Sequence, residues 1–251
     1  MWDTYVIIPM TNVLLWIYDI IGHNFGVAII LFTILIRALT WPLTAQQLKG
    51  TQGMQELQKD KEWLDIQKKY KNDKEKLAQE QMRIYKERGI NPFGSCLPTL
   101  IQFPIIIGLY QSIIRALAAT PLSLLNLSRS LYPFLDVTKI IPLNSHFLWM
   151  DLGRPESINI FGFAVPSLAI LVVITSYIQS RLMTPPSNPG DQSGAMGNMM
   201  SVYMPLFMGY IAMIYASGLS LYFITSNLLG ITQYALMGRA NWSNLIPGRK
   251  E

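Results

Sequence analysis

Five predominantly apolar stretches dominate the chain, at 25–45, 97–116, 163–181, 199–217 and 219–238. Each is close to the ~20 residues an α-helix needs to cross the hydrocarbon core of a bilayer. In hydrocarbon every backbone N–H and C=O must be satisfied within its own segment, so runs of this kind form helices. The last two meet at Ser217-Gly218 and form a tight hairpin. The expected fold is therefore an all-α polytopic membrane protein with five transmembrane helices.

Charge is segregated between these runs. The window 46–90 carries 11 Lys+Arg and 8 Asp+Glu, out of 20 and 15 in the 251 residues. Lys/Arg bias puts that window in the cytoplasm. The spans then alternate: 117–162 is extracytoplasmic, 182–198 is a cytoplasmic loop, and Arg239, Arg249 and Lys250 lie inside. A net charge of +5 suits anionic partners such as lipid headgroups, RNA or acidic peptides. The lone Cys96 excludes an intrachain disulfide and a cysteine metal cluster. The start, MWDTYVIIP, shows no basic segment and no small-residue cleavage site of a secretory signal.

Residues 5–21, YVIIPMTNVLLWIYDII, space Ile7, Met10, Val13, Leu14, Ile17 and Ile21 near the helical period, while Thr11, Asn12 and Asp19 interrupt the run. The pattern suits an amphipathic interfacial helix; a short true span is the alternative. The island 46–90 reads as a cytoplasmic helical hairpin, 44–71 and 74–88, turning at Asn72-Asp73 and closed by Gly89 and Pro92. Met54, Leu57 and Leu64 stripe its first helix, and Ala78, Met82 and Tyr85 its second. A solvated charged linker is the other reading.

The first span, FGVAIILFTILIRALTWPLTA, holds an arginine. Arg37 shares one helix face with Thr33, Thr40 and Thr44, at i−4, i+3 and i+7. It lies nine residues before Gln46, roughly 14 Å at about 1.5 Å rise per residue. An arginine near the bilayer centre costs at least ~2.5–3.5 kcal/mol on insertion scales. No Asp or Glu occurs in the five stretches, so the counter-group must be water, a carbonyl or something from outside. The second span adds Thr99, Gln102, Gln111 and Ser112. The third adds Thr175, Ser176, Gln179 and Ser180; the fifth adds Ser220, Thr225, Ser226, Asn227, Thr232 and Gln233. Singly these are helix-joining or backbone-bonding groups; together with Arg37 they suggest a hydrated cavity in the cytoplasmic half. Pro42, Pro98, Pro104, Pro166 and Pro205 kink such walls and free carbonyls. The methionines of 196–213 offer adaptable apolar surface, with lipid-facing packing as the plainer explanation.

No phosphate-binding glycine loop and no G-x-S-x-G are present, and His23 and His146 fall outside the spans. An ATPase, an intramembrane protease and an enzyme of any common kind are disfavoured, and no cofactor or metal site is expected.

Several segments, in order and over nearly the whole chain, resemble the YidC/Oxa/Alb family of membrane protein insertases, in its bacterial YidC branch. They are TILIRALTWPLTAQQLKGTQGMQELQ, NPFGSCLPTLIQFPIIIGLYQSI, FLWMDLG at 147–153, SYIQSRL, and MPLFMGYIAMIYASGLSLYFITSNLLGITQ. The resemblance implies five core spans around a hydrophilic groove open to cytoplasm and lipid but closed outside. It implies that Arg37 is the groove arginine and Thr33 the threonine one turn earlier, with Gln102 in the LIQ-x-P motif. The aromatic start of the last span falls on Tyr222 and Phe223; Phe223 stands where some members have tyrosine, keeping the ring and losing the hydroxyl. The large extracytoplasmic domain, lipoprotein signal and long basic tail of other members have no counterpart here, which weakens tail-mediated ribosome docking.

The expected function is an insertase of the bacterial plasma membrane without a motor. Nascent membrane proteins would arrive from the ribosome or the signal recognition pathway through 46–90, with or without the Sec translocon, and leave into membrane lipid. Arg37, Thr33, Thr40, Gln102 and Asn227 would line the groove, and Tyr222, Phe223 and Phe103 an apolar slide. Arg37→Lys should keep much activity if a point charge suffices. A small-solute channel or permease subunit with Arg37 on an anion path is the rival. A structural subunit whose groove holds partner helices is the third reading.

Overall fold

The computed structural model describes residues 1–70, 73–89, 97–117, 120–140, 143–160, 163–183 and 192–238. A π-helical turn at Asp3–Ile7 leads into α1 (Ile8–Ile20). Then come α2 (Phe25–Lys59), α3 (Lys61–Lys69), α4 (Lys74–Glu87), α5 (Leu97–Leu117), α6 (Pro121–Ser130) and α7 (Val137–Ile140). Two small antiparallel hairpins follow: β1 (His146–Phe147) with β2 (Met150–Asp151), and β3 (Ile158–Ile160) with β4 (Phe163–Val165). The chain closes with α8 (Ser167–Met183), α9 (Gln192–Ile214) and α10 (Ser217–Leu236).

Helix α10 is the hub. It packs on α8, α2 and α5, and its first half is buried all round, from Ser217 to Phe223. Gly218 makes this possible. A Cβ there would sit 3.2 Å from Ile29 Cδ1 and 3.2 Å from the Leu152 carbonyl, so α2 and the loop after β2 can close on α10. The orphan N–H groups at its start are satisfied by that loop. Ser217 N–H donates to the Arg154 carbonyl at 2.8 Å and Gly218 N–H to the Leu152 carbonyl at 3.0 Å. The Ser217 hydroxyl donates to the Asp151 carbonyl at 2.8 Å. Gly209 lets α9 lie against α8, because a Cβ there would meet Val173 Cγ2 at 2.2 Å.

Among the described residues, only Phe25–Ala45 is a single helical segment long and apolar enough to cross a membrane. Gln102–Leu117 and Pro121–Ser130 pass only as a pair bent by 115°. Ser167–Leu182 and Ser201–Ile214 are shorter apolar helices. The third apolar stretch begins differently from expectation: 163–165 form β4, and the helix starts only after Pro166. The final two helices are joined at Tyr215-Ala216 rather than at Ser217-Gly218, which are already helical.

Helix α1 joins the bundle through a mixed face. Leu14, Leu15, Ile17 and Tyr18 are buried, and so are Thr11 and Asn12, expected to interrupt the apolar face. Their polarity is satisfied inside. Thr11 donates to the Ile7 carbonyl at 2.8 Å, and the Asn12 amide donates to the Ser130 carbonyl at 3.0 Å and accepts from Tyr132 N–H at 2.7 Å. Asp3 also pairs with Arg115 of α5 at 2.6 Å.

The charged island is helical but its first helix is not continuous to residue 71. It breaks at Asp60, whose backbone is extended and whose carboxylate accepts from Glu62 N–H at 3.0 Å, capping α3. A small core of Leu57, Trp63 and Ile84 forms there, with the Tyr85 ring tilted against Trp63 at 5.3 Å between centroids. Ala78 and Met82, expected in the apolar stripe, are exposed, and Leu77 is buried in their place. Asp60 accepts from Arg88 at 2.7 Å across the hairpin. Asn72, Cys96, Arg239, Arg249, Lys250 and residues 184–191 lie outside the described residues, and 192–198, expected in the loop, already belong to α9.

Candidate functional site

Arg37 sits midway along the apolar part of α2 and points at α10. Its Nε donates to Ser226 Oγ at 3.1 Å; its Nη2 donates to Ser226 Oγ at 2.8 Å and to the Ser226 carbonyl at 2.8 Å. Nη2 alone reaches both oxygens, and the second donor, Nε, on the same rigid plane fixes the orientation of the guanidinium. The hold is neutral, and among the described residues no carboxylate pairs with Arg37. No carboxylate occurs in 25–45, α5, α8 or α10.

The threonines beside Arg37 share its face but spend their protons on their own helix. Thr33 donates to the Ile29 carbonyl at 2.6 Å, Thr40 to Ile36 at 2.9 Å, and Thr44 to Thr40 at 3.0 Å. They therefore present acceptor lone pairs and methyls, not donors. Thr33 is fully buried. Pro42, inside α2, cannot donate to the Ala38 carbonyl one residue beyond Arg37.

Facing helices complete the polar zone. Gln102 of α5 donates to the Tyr222 phenol of α10 at 2.5 Å. Asn227 donates to Thr175 Oγ1 at 3.1 Å and Ser176 Oγ at 2.8 Å, tying α10 to α8. One turn beyond Ser226, Gly230 leaves the space in which Gln179 and Arg37 meet α10. A Cβ on Gly230 would lie 2.5 Å from Gln179 Nε2 and 3.5 Å from Arg37 Nη2. Ser226, Gly230 and Gln233 lie on one face of α10, and Gln233 Nε2 is buried with no hydrogen-bond partner among the described residues.

The five groove residues expected from the sequence thus divide. Arg37 engages α10, and Asn227 links α10 to α8. Gln102 reaches Tyr222 one turn before Ser226. Thr33 and Thr40 flank Arg37 without a side-chain partner on another helix among these bonds. Of the expected apolar slide, Phe103 is 40% exposed, whereas Tyr222 and Phe223 are interior at 2% and 5%, their rings 5.8 Å apart. Ser226, Gly230 and Gln179 form the immediate setting of Arg37. Ser226 and Gln179 were visible as span polar groups, but only the α2–α10 contact singles them out. Nothing in the sequence distinguished Gly230 from the other helical glycines.

A family model described as 60Kd inner membrane protein matches residues 16–243. The chain is 32% identical over 238 residues to the membrane protein insertase MisCA of Bacillus subtilis (strain 168), covering 94% of this chain and 78% of that one. It is 35% identical over 241 residues to the membrane protein insertase YidC 2 of Listeria innocua, covering 94% and 71%. A crystal structure of an active YidC insertase with its first transmembrane domain resolved superposes with a TM-score of 0.60 at 26% identity, over 94% of this chain and 46% of that one.

Proposed function

The chain belongs to the 60Kd inner membrane protein family, and from that premise we propose that it is a membrane protein insertase of the bacterial inner membrane. It moves hydrophobic segments of nascent membrane proteins from cytoplasm to lipid and makes or breaks no covalent bond. The observation that carries this reading is the Arg37 charge, paired with no carboxylate among the described residues and held by Ser226 among polar groups of α5, α8 and α10.

In this reading five spans, 25–45, 97–116, 163–181, 199–217 and 219–238, surround a hydrophilic groove, with α1 in the outer interface. Residues 46–90 and the C-terminus are cytoplasmic. The α3–α4 hairpin receives clients from the ribosome or signal recognition pathway, alone or beside the Sec translocon. The acceptor of Thr40 and the amides of Gln102 and Asn227 shorten the apolar path for the client's leading tail, with Thr33 buried behind Arg37 as support. Arg37 is the transient counter-ion of an acidic tail. The membrane potential adds about 2.3 kcal/mol per charge per 100 mV to outward passage of that tail. The client's apolar segment leaves along the exposed Phe103 of α5, while Tyr222 and Phe223 stay inside the bundle. Its burial in lipid contributes about 25 cal/mol per Å². The carbonyls of 151–154 that cap α10 support closure of the outer side.

Photo-crosslinkers placed at Gln102 and Phe103 test this reading. Both should capture a ribosome-bound nascent membrane protein. Capture from neither, with the protein correctly reconstituted, contradicts the groove and slide.

A further inference from the structure

The β1–β2 hairpin carries an unusual tip. Its strands pair Phe147 with Met150, leaving Leu148 and Trp149 as a two-residue turn. Leu148 has φ +54°, whereas Trp149 has no positive φ. Hairpin turns with positive φ at the first central residue alone favour glycine there. A leucine occupies the position instead, and its side chain is 74% exposed; Trp149 is 57% exposed. Packing within the protein accounts for neither.

Two contacts fix where the tip stands. Phe147, one residue before it, lies on the first turn of α2: a Cβ on Gly26 would fall 2.1 Å from the Phe147 ring. Trp149, on the other side, donates its indole N–H to Glu156 Oε1 at 3.3 Å. The same carboxylate accepts from the Ser167 hydroxyl at 2.9 Å and from Leu168 N–H at 3.1 Å, the first residues of α8. The tip is thus braced against the starts of two apolar helices, which begin at Phe25 and Ser167. With the indole N–H engaged by Glu156, Trp149 presents mainly the apolar part of its ring.

The geometry points to Leu148 and Trp149 as a lipid-binding anchor that sits in the outer-leaflet interface of the membrane. Indole rings favour the depth between headgroups and acyl chains, with the polar edge bonded and the ring in lipid. The occupant of this surface is phospholipid rather than a protein, because Glu156 ties the tip to the first residues of α8, a helix whose Ile170, Leu171 and Ile174 are exposed as a lipid-facing surface would be. Such an anchor would hold the loop that caps α10 at a fixed depth. The inference rests on reading α2 and α8 as spans.

The test uses the full chain in a Cys96→Ser background, reconstituted into phosphatidylethanolamine/phosphatidylglycerol vesicles without other proteins. An environment-sensitive fluorophore is attached at Leu148→Cys, at Arg154→Cys as the solvent-exposed reference, and at Ile174→Cys within α8. Brominated lipids labelled near the headgroup should quench the label at 148 by at least twofold more than that at 154. Aqueous iodide should do the reverse. Equal quenching at 148 and 154 by both agents overturns the anchor. Failure of deep-labelled lipid to quench at 174 overturns the span reading itself, which separates the two outcomes. A Trp149→Ala variant of the labelled protein should shift the 148 label toward iodide; an unchanged profile overturns the part assigned to Trp149.

Discussion

Arg37 and Ser226, 189 residues apart, are joined by three hydrogen bonds that use both the hydroxyl and the carbonyl oxygen of the serine. The carbonyl is a backbone atom, so the grip survives loss of the hydroxyl in part. Ser226→Ala should lower stability by about 0.6–3 kcal/mol, the range spanned by interhelical bonds in membranes and bonds to charged groups in water. It should reduce client insertion less than Arg37→Ala does. Thermal unfolding in detergent and insertion into vesicles, measured on the same preparations, check both statements.

Gly230 sets how closely Gln179 and Arg37 approach α10. The nearest obstacle to a Cβ there is the end of a flexible glutamine, which can move. Gly230→Ala should therefore be tolerated with a modest loss of insertion, whereas Gly230→Val should reduce it severalfold with Arg37 still present. Gly230→Ala combined with Gln179→Ala should recover most of the loss. An alanine variant as inactive as the valine one would show that the space is set by backbone, not by Gln179.

At Gly26 the obstacle is different. The Phe147 ring lies over the α-carbon, so a methyl group there cannot be accommodated by swinging a chain end aside. Gly26→Ala should destabilise the protein by about 1–3 kcal/mol, the usual cost of overpacking. Adding Phe147→Leu should return part of it. A double-mutant cycle by thermal denaturation measures the coupling; strict additivity would contradict the contact.

The α3–α4 hairpin stands on its own small core. Trp63→Ala removes its largest buried side chain and should cost about 3–5 kcal/mol there. Arg88→Ala breaks an exposed pair with Asp60 worth at most about 1 kcal/mol. Hydrogen exchange should show α3 and α4 losing protection in the tryptophan variant while α10 keeps its own. Comparable loss in the arginine variant would mean that ion pairs, not Trp63, hold the hairpin.

What the sequence made legible follows from how each feature is encoded. The apolar runs announced the long helices, because length and apolarity are local properties. Arg37 was legible for the same reason, as a charge in a run of Ile and Leu. Its partner was not: Ser226 is one of several hydroxyls on α10, and serine usually bonds its own helix. Thr11 and Asn12 were read as breaks in the apolar face of α1, since the carbonyl of Ser130 and the N–H of Tyr132 that satisfy Asn12 lie far along the chain. Trp63 was hidden among charges, and its burial needs Ile84 from the facing helix. Two- and three-residue strands carry too little alternation to be read at all. Asp60 was the exception that could have been found, as an Asp preceding Lys61-Glu62, an N-cap followed by an acidic first turn.

The most direct measurement compares wild type, Arg37→Ala and Arg37→Lys in reconstituted vesicles, inserting two clients that differ only in whether the extracytoplasmic tail is acidic or neutral. The acidic-tail client should lose at least tenfold in rate with alanine and fall between the two with lysine, which keeps the charge but not the forked hold on Ser226. The neutral-tail client should be far less affected. Equal rates for all three proteins with the acidic client, or equal losses for both clients, would contradict the role of Arg37 as the transient counter-ion.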